Sequence, residues 1–169
     1  MTLKDEIGQT KPFHSSEEEA FLNLLRTTDR LSLVAQQRVK PYGITMTQYN
    51  VLRILRGAGE DGLSCSKIGE LMVTHDPDVT RLLTRLEKSK LVKRRRNKKD
   101  RRQICTQISE KGLECLEEID QVVNQVNTDM LGHLTEDEKQ ELIRLLEKAR
   151  CPANTVCKKE KEKAATEEE

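Results

Sequence analysis

The sequence predicts a mainly α-helical chain carrying one small β-hairpin. Three observations lead there. Apolar residues recur at three- and four-residue intervals through most of the chain. Hydroxyl and carboxylate residues of the kind that cap helices stand just ahead of those stripes. Only residues 91–93 and 104–108 alternate in the manner of strands. The composition adds a constraint: of 169 residues, 35% are hydrophobic, 2% aromatic and 35% charged. That charged share exceeds the roughly 25% of an ordinary domain, so one chain has little apolar material for a thick core. Sharing a core with a second copy would suit it.

Residues 1–14 show no periodicity and read as a flexible arm. Ser16 and Glu19 have capping-box spacing, and Phe21, Leu24, Leu25, Thr28, Leu31, Val34 and Ala35 follow at helical intervals to about Pro41. After the turn Pro41-Tyr42-Gly43, Thr45 and Gln48 form a second box. The helix it opens turns Val51, Leu52, Ile54 and Leu55 inward and ends near Gly57 and Gly59. Ser64 caps a short helix through Ile68 and Leu71. A turn at Val73-Thr74-His75 leads to Asp76 as N-cap and Pro77 at the first helical position, where a missing N–H costs nothing. The next helix has Val79, Leu82, Leu83 and Leu86 on one side, with Asp78, Arg81, Thr84, Arg85 and Lys88 on the other. Two short helices joined by a tight turn make a helix-turn-helix. The two strands, joined by a turn at Asn97-Lys98-Lys99-Asp100, append a wing to it.

Ser109 then caps a long helix with the stripe Leu113, Leu116, Ile119, Val122, Val123, Val126 and Met130. Thr135 and Glu138 form a third box, ahead of Leu142, Leu145, Leu146 and Ala149 as an inward face. Cys151-Pro152 stops that helix, and residues 151–169 read as a charged, disordered tail.

The net charge of +1 conceals an asymmetry. Residues 61–112 hold fourteen basic side chains against seven acidic ones, a surplus of seven. Eight of the ten residues from 93 to 102 are basic. Local potential, rather than total charge, attracts a polyanion, and here the basic run sits on a hairpin beside an amphipathic helix. The two together point to nucleic acid.

Other classes find less support. No apolar run approaches the roughly 18 residues of a membrane span, and no secretory signal opens the chain, so a soluble cytoplasmic protein is expected. Five cysteines and three histidines lack zinc-ligand spacing, and neither a metal nor another cofactor is expected. No Gly-rich phosphate loop, nucleophile elbow or H-E-x-x-H is present, which argues against an enzyme.

The stretch from Ile44 to Gly112 resembles the MarR family of winged-helix regulators. The most specific part is Asp100-Arg101-Arg102, then six intervening residues and Ser109-Glu110-Lys111-Gly112, behind the pair Leu91-Val92. The resemblance implies an N-terminal dimerisation helix over 15–43, a winged helix-turn-helix DNA-binding region over 44–112 and C-terminal dimerisation helices over 113–150. It implies a homodimer that reads two half-sites of double-stranded DNA about 10 bp apart, as a repressor relieved by a small phenolic or other apolar effector. The sequence singles out no pocket residues for that effector. Three features depart from the family pattern: Lys90 replaces a glycine, Arg96, Lys98 and Lys99 make the wing tip unusually basic, and Asp76 and Asp78 stand near the recognition helix.

On this reading Arg81 and Arg85 contact base edges, because a guanidinium grips guanine O6 and N7 together. Thr80 and Thr84 bond bases or phosphates, and Ser64 and His75 position the backbone. In the wing, Lys98, Lys99 and Arg101 enter the minor groove, Arg94 and Arg95 meet flanking phosphates, and Asp100 braces an arginine. Two alternatives remain open: a thiol-based redox-sensing regulator, and a winged-helix protein-interaction module that does not bind DNA. Cys65, Cys105 and Cys115 fit packing better than sensing, while Cys151 and Cys157 flank the start of the tail.

Overall fold

A computed structural model describes residues 1–96 and 104–150. The predicted turn at 97–100, with Lys98, Lys99, Asp100 and Arg101, lies outside the described residues, as does the tail 151–169. The chain divides into two compact units, Met1–Val126 and Asn127–Glu169.

The first unit holds α1 (Leu3–Ile7), α2 (Ser16–Val39), α3 (Met46–Ala58), α4 (Cys65–Leu71), α5 (Val79–Lys88), β1 (Val92–Arg96), β2 (Ile104–Ile108) and most of α6 (Glu110–Leu131). Its core is aliphatic apart from Tyr49. Val39, Val51, Leu52, Leu55, Ile68, Leu83, Leu86, Leu116 and Ile119 are all but sealed from solvent. They come from α2 to α6, so the helix-turn-helix and the start of α6 share one interior. The second unit contains the end of α6 and α7 (Glu136–Arg150). Thr135 and Glu138 make the predicted reciprocal cap: Glu138 N–H donates to Thr135 Oγ1 at 3.3 Å, and Thr135 N–H donates to Glu138 Oε2 at 2.8 Å. Among the described residues no helix is long and apolar enough to cross a membrane.

Several expectations need correction. Residues 1–14, expected to carry no regular element, contain α1. Thr2 and Asp5 cap it reciprocally, Leu3 is buried, and Glu6 pairs with Arg26 and Arg30 of α2 at 3.3 and 3.6 Å. Five residues are too few for periodicity to show. The cap of α2 is Ser15 rather than Ser16, because Ser15 Oγ accepts from Glu18 N–H and the Glu18 carboxylate accepts from His14 N–H. Within α3, Tyr49 is fully inward and Ile54 only half-buried. The first strand runs to Arg96, three residues beyond the expected Lys93, carried by pairing with β2 from Val92↔Ile108 to Arg96↔Ile104. Strict alternation also fails in β2, where Cys105, Thr106 and Gln107 are all buried. Leu63 explains Thr106: the two exchange both backbone hydrogen bonds, at 2.9 and 2.8 Å, so β2 is covered on its outer edge. In α7, Leu142 and Leu145, expected inward, are exposed and Leu146 is half-buried. The stripe of α2 behaves alike, with Phe21 60% exposed and Leu24 and Leu25 open as well. A stripe records which face is apolar and leaves open what covers it.

Candidate nucleic-acid interface

The recognition helix starts two residues later than its sequence suggests. Asp76 Oδ1 accepts from Asp78 N–H at 2.8 Å, closing a tight turn around Pro77. Asp78 then becomes the N-cap, its Oδ1 accepting from Arg81 N–H at 2.9 Å. Both acids, departures from the family pattern, are thereby engaged by backbone amides of their own turn and helix. The turn before them is anchored from α3, where Asn50 Oδ1 accepts from Val73 N–H at 2.9 Å.

Along α5, Leu82, Leu83 and Leu86 are buried while Thr80, Arg81, Arg85 and Lys88 are exposed. Arg81 and Arg85 stand one turn apart on the open side, as expected. Thr84 is committed elsewhere. Its Oγ1 donates to the Thr80 carbonyl oxygen at 2.9 Å and accepts from Arg94 Nη2 at 2.9 Å. Arg94 also pairs with Glu87 through Nε at 3.2 Å. The Arg94 guanidinium therefore ties the base of the wing to α5. Thr80 lies 3.5 Å from Cys65 Sγ, joining the first turns of α4 and α5. Ser64 Oγ accepts from Lys67 N–H at 3.3 Å as the cap of α4, and His75 is exposed in the turn. Strand alternation separates two residues expected to act together: Arg94 faces α5, and Arg95 the opposite side with Lys93.

The wing meets α6 at a corner built around Lys90, the one non-glycine among the described residues with a left-handed backbone, φ 62°. Ser109 Oγ donates to the Lys90 carbonyl oxygen at 2.7 Å and accepts from Gly112 N–H at 3.0 Å. Lys111 Nζ donates to the Ser89 carbonyl oxygen at 3.2 Å. A methyl group on Gly112 would overlap the Leu91 carbonyl oxygen. Ser109, Lys111 and Gly112 thus each grip the corner that aims the hairpin.

Sequence reasoning missed Asn50, Glu87 and a cluster joining α3 to α6. Asp120 Oδ1 accepts from Tyr49 Oη at 2.7 Å, and Oδ2 from Arg56 Nη1 at 2.5 Å. Arg53 lies over the Tyr49 ring at 5.8 Å. Burial, then the hydrogen bond to Asp120, pushes the Tyr49 phenol up to about 12. Burial also works to raise the Asp120 carboxyl; the bonds from Tyr49 and Arg56, with the charges of Arg56 and Arg53, outweigh it and leave the group below its ordinary range. A lone Asp on a helix gives no sequence signal for partners so far away in the chain.

The thiols among the described residues offer little for redox chemistry. Among the described residues Cys105 is buried, Cys65 and Cys115 are half-buried, and no disulfide is formed. Burial raises the Cys115 thiol, which lowers its thiolate fraction. No group of metal-ligating side chains occurs among the described residues.

Comparison with known proteins converges on one class. A model of the MarR family matches residues 44–104. The chain is 36% identical to a MarR transcription factor from Planctomyces limnophilus, with 80% of this chain and 98% of that one covered at a TM-score of 0.61. It is 28% identical to the HTH-type transcriptional regulator YkoM of Bacillus subtilis over 141 residues, 81% of this chain and 90% of the relative. It is 25% identical, at a TM-score of 0.73, to Bordetella bronchiseptica BpsR, whose DNA binding is regulated by 6-hydroxynicotinic acid; 84% of this chain and 99% of that one are covered.

Proposed function

Because the chain belongs to the MarR family of DNA-binding transcriptional regulators, we propose that it is a cytoplasmic homodimeric repressor, released from its operator by a small effector. It is a regulator and not an enzyme. One observation carries the DNA reading: α5 buries its leucines and presents Arg81 and Arg85 to solvent, beside a wing that Arg94 holds to the same helix.

In this mechanism each protomer lays α5 in a major groove. Arg81 and Arg85 read base edges, Thr80 bonds a base or phosphate, and Thr84 keeps Arg94 in place. The wing carries Lys98, Lys99 and Arg101 into the neighbouring minor groove, with Asp100 bracing an arginine. Arg94 and Arg95 supply charge toward flanking phosphates from opposite faces of the strand, and Ser64 and His75 set the backbone in register. Dimerisation uses residues 15–43 and 113–150. The open apolar side chains of α2 (Phe21, Leu24, Leu25, Leu33) and α7 (Leu142, Ile143, Leu145) support this, since apolar area of that extent favours association. The regulated DNA binding of BpsR supports an effector, a small phenolic or other apolar molecule, without naming it.

The test is a titration of the duplex upstream of the chain's own gene against random duplex, across a salt series, with and without small phenolic compounds. Preference for the upstream duplex, weakening with salt and relieved by a phenol, supports the proposal. Absence of salt-dependent retention on either duplex leaves the protein-interaction module instead.

A further inference from the structure

The face of β1 turned away from α5 overlooks a cleft of about 380 Å3. Lys93 and Arg95 project into it from the strand, Arg56 and Glu60 come from the end of α3 and the turn after it, and Ile108 and Leu113 give it an apolar side. That volume lies within the roughly 300–1,000 Å3 of small-molecule sites. Neither Lys93 nor Arg95 forms an ion pair among the described residues. Arg56 spends Nη1 on Asp120, which leaves its other N–H groups for the cleft. Gln107 fixes the rim by donating to the Glu60 backbone carbonyl oxygen.

We propose that this cleft binds a small phosphorylated polyol or sugar. Lys93, Arg95 and Arg56 are the cations of the lining and Glu60 its acid; with Arg56 paired to Asp120, Lys93 and Arg95 are the charges left to meet a phosphomonoester, which brings about −1.5 to −2. Guanidinium groups engage phosphate oxygens through paired N–H bonds, and Lys93 adds a point charge. The Glu60 carboxylate, repulsive to a bare anion, becomes an acceptor once the ligand carries hydroxyl groups. Ile108 and Leu113 pack on its carbon skeleton. The chain's few aromatics contribute nothing to the lining, so a nucleotide base would find no ring to stack on. The site lies away from the exposed face of α5 and shares Arg95 with the flanking-phosphate contacts proposed above.

Calorimetric titration of the full-length protein, without DNA, tests the proposal using glycerol 3-phosphate, glucose 6-phosphate, inorganic phosphate and glycerol. Expected is saturable binding of the two esters, one per chain, about tenfold tighter than inorganic phosphate, with no heat from glycerol. Lys93→Ala with Arg95→Ala weakens the esters by about tenfold or more, as expected for loss of charge-assisted bonds. Glu60→Gln weakens the esters but not inorganic phosphate, and Arg81→Ala changes neither. Leu113→Glu, at an already half-open position, places a repelling charge in the cleft and abolishes binding. The proposal is overturned if esters and inorganic phosphate bind alike, if the double variant binds as well as the parent, or if no ester binds. If no ester binds while the double variant flattens the salt dependence of duplex binding, Lys93 and Arg95 serve DNA phosphates alone.

Discussion

Ser109 Oγ donates to the carbonyl oxygen of Lys90 at 2.7 Å, holding down the one left-handed non-glycine backbone among the described residues. A Cβ in that conformation costs about 1–2 kcal/mol. The Ser-Glu-Lys-Gly sequence that opens α6 acquires its physical meaning here: hydroxyl, ammonium and bare Cα each meet a carbonyl of residues 89–91.

Lys90→Gly is therefore expected to stabilise the protein by up to about 1 kcal/mol, the relief of the side chain being partly offset by a freer unfolded chain. Gly112→Ala should do the reverse by about 1–3 kcal/mol, because the methyl group has to displace the Leu91 carbonyl. Urea unfolding of the two variants checks both signs. A neutral Gly112→Ala would show that the corner yields more easily than its geometry implies.

Arg81→Ala should relax sequence preference at one position by about 1–3 kcal/mol. Lys98→Ala with Lys99→Ala should leave preference intact and flatten the log–log salt slope by about 0.9 for each phosphate that is no longer neutralised. Binding isotherms on cognate and scrambled duplexes at several salt concentrations separate the two. Equal weakening on every sequence by both variants would refute the division between helix and wing.

The Tyr49–Asp120 bond makes stability depend on pH at both extremes. The Tyr49 phenol is raised to about 12, so its contribution is full below its unfolded value of about 10 and is lost as pH climbs toward 12. The Asp120 carboxyl is lowered, so its contribution is present above about 3.9 and disappears as acid protonates the folded form. Tyr49→Phe should cost about 1.5–3 kcal/mol at neutral pH, as for a hydrogen bond to a charged group, and should flatten the loss above about pH 10. Chemical unfolding from neutral to alkaline pH checks it; parallel curves for parent and variant would contradict the assignment.

Leu25→Lys, on the open face of α2, should leave helix content unchanged while shifting sedimentation from dimer to monomer. It should also reduce affinity for a two-half-site duplex far more than for a single half-site. A dimer that survives this charge would move the interface off α2.

Much of the fold was readable because its signals are local. The caps at Thr45, Ser64 and Thr135 appear where hydroxyl spacing puts them. The start of α5 was misplaced because Asp76 and Asp78 flank Pro77, and only the bonds formed decide which acid closes the turn and which caps the helix. The apolar stripes of α2 and α7 were legible and their exposure was not, since periodicity is the same whether a face meets its own chain or another. In the candidate interface, helical spacing already puts Arg81 and Arg85 on the open side of α5, where the structure has them. It does not give Glu87 and Thr84 as holders of Arg94, because that arrangement depends on how β1 leaves α5. Tyr49 and Asp120, 71 positions apart, share no pattern at all.

The two-stranded hairpin also bears on solubility. A short sheet with bare margins invites strand-by-strand stacking with other chains. Here Leu63 occupies the outer margin of β2 through paired backbone bonds, while among the described residues the open margin belongs to β1, whose run Lys93-Arg94-Arg95-Arg96 repels a second copy of itself. The same arginines that recommend the wing to a polyanion thus guard it against self-aggregation, and replacing them wholesale to weaken DNA binding would strip that protection too.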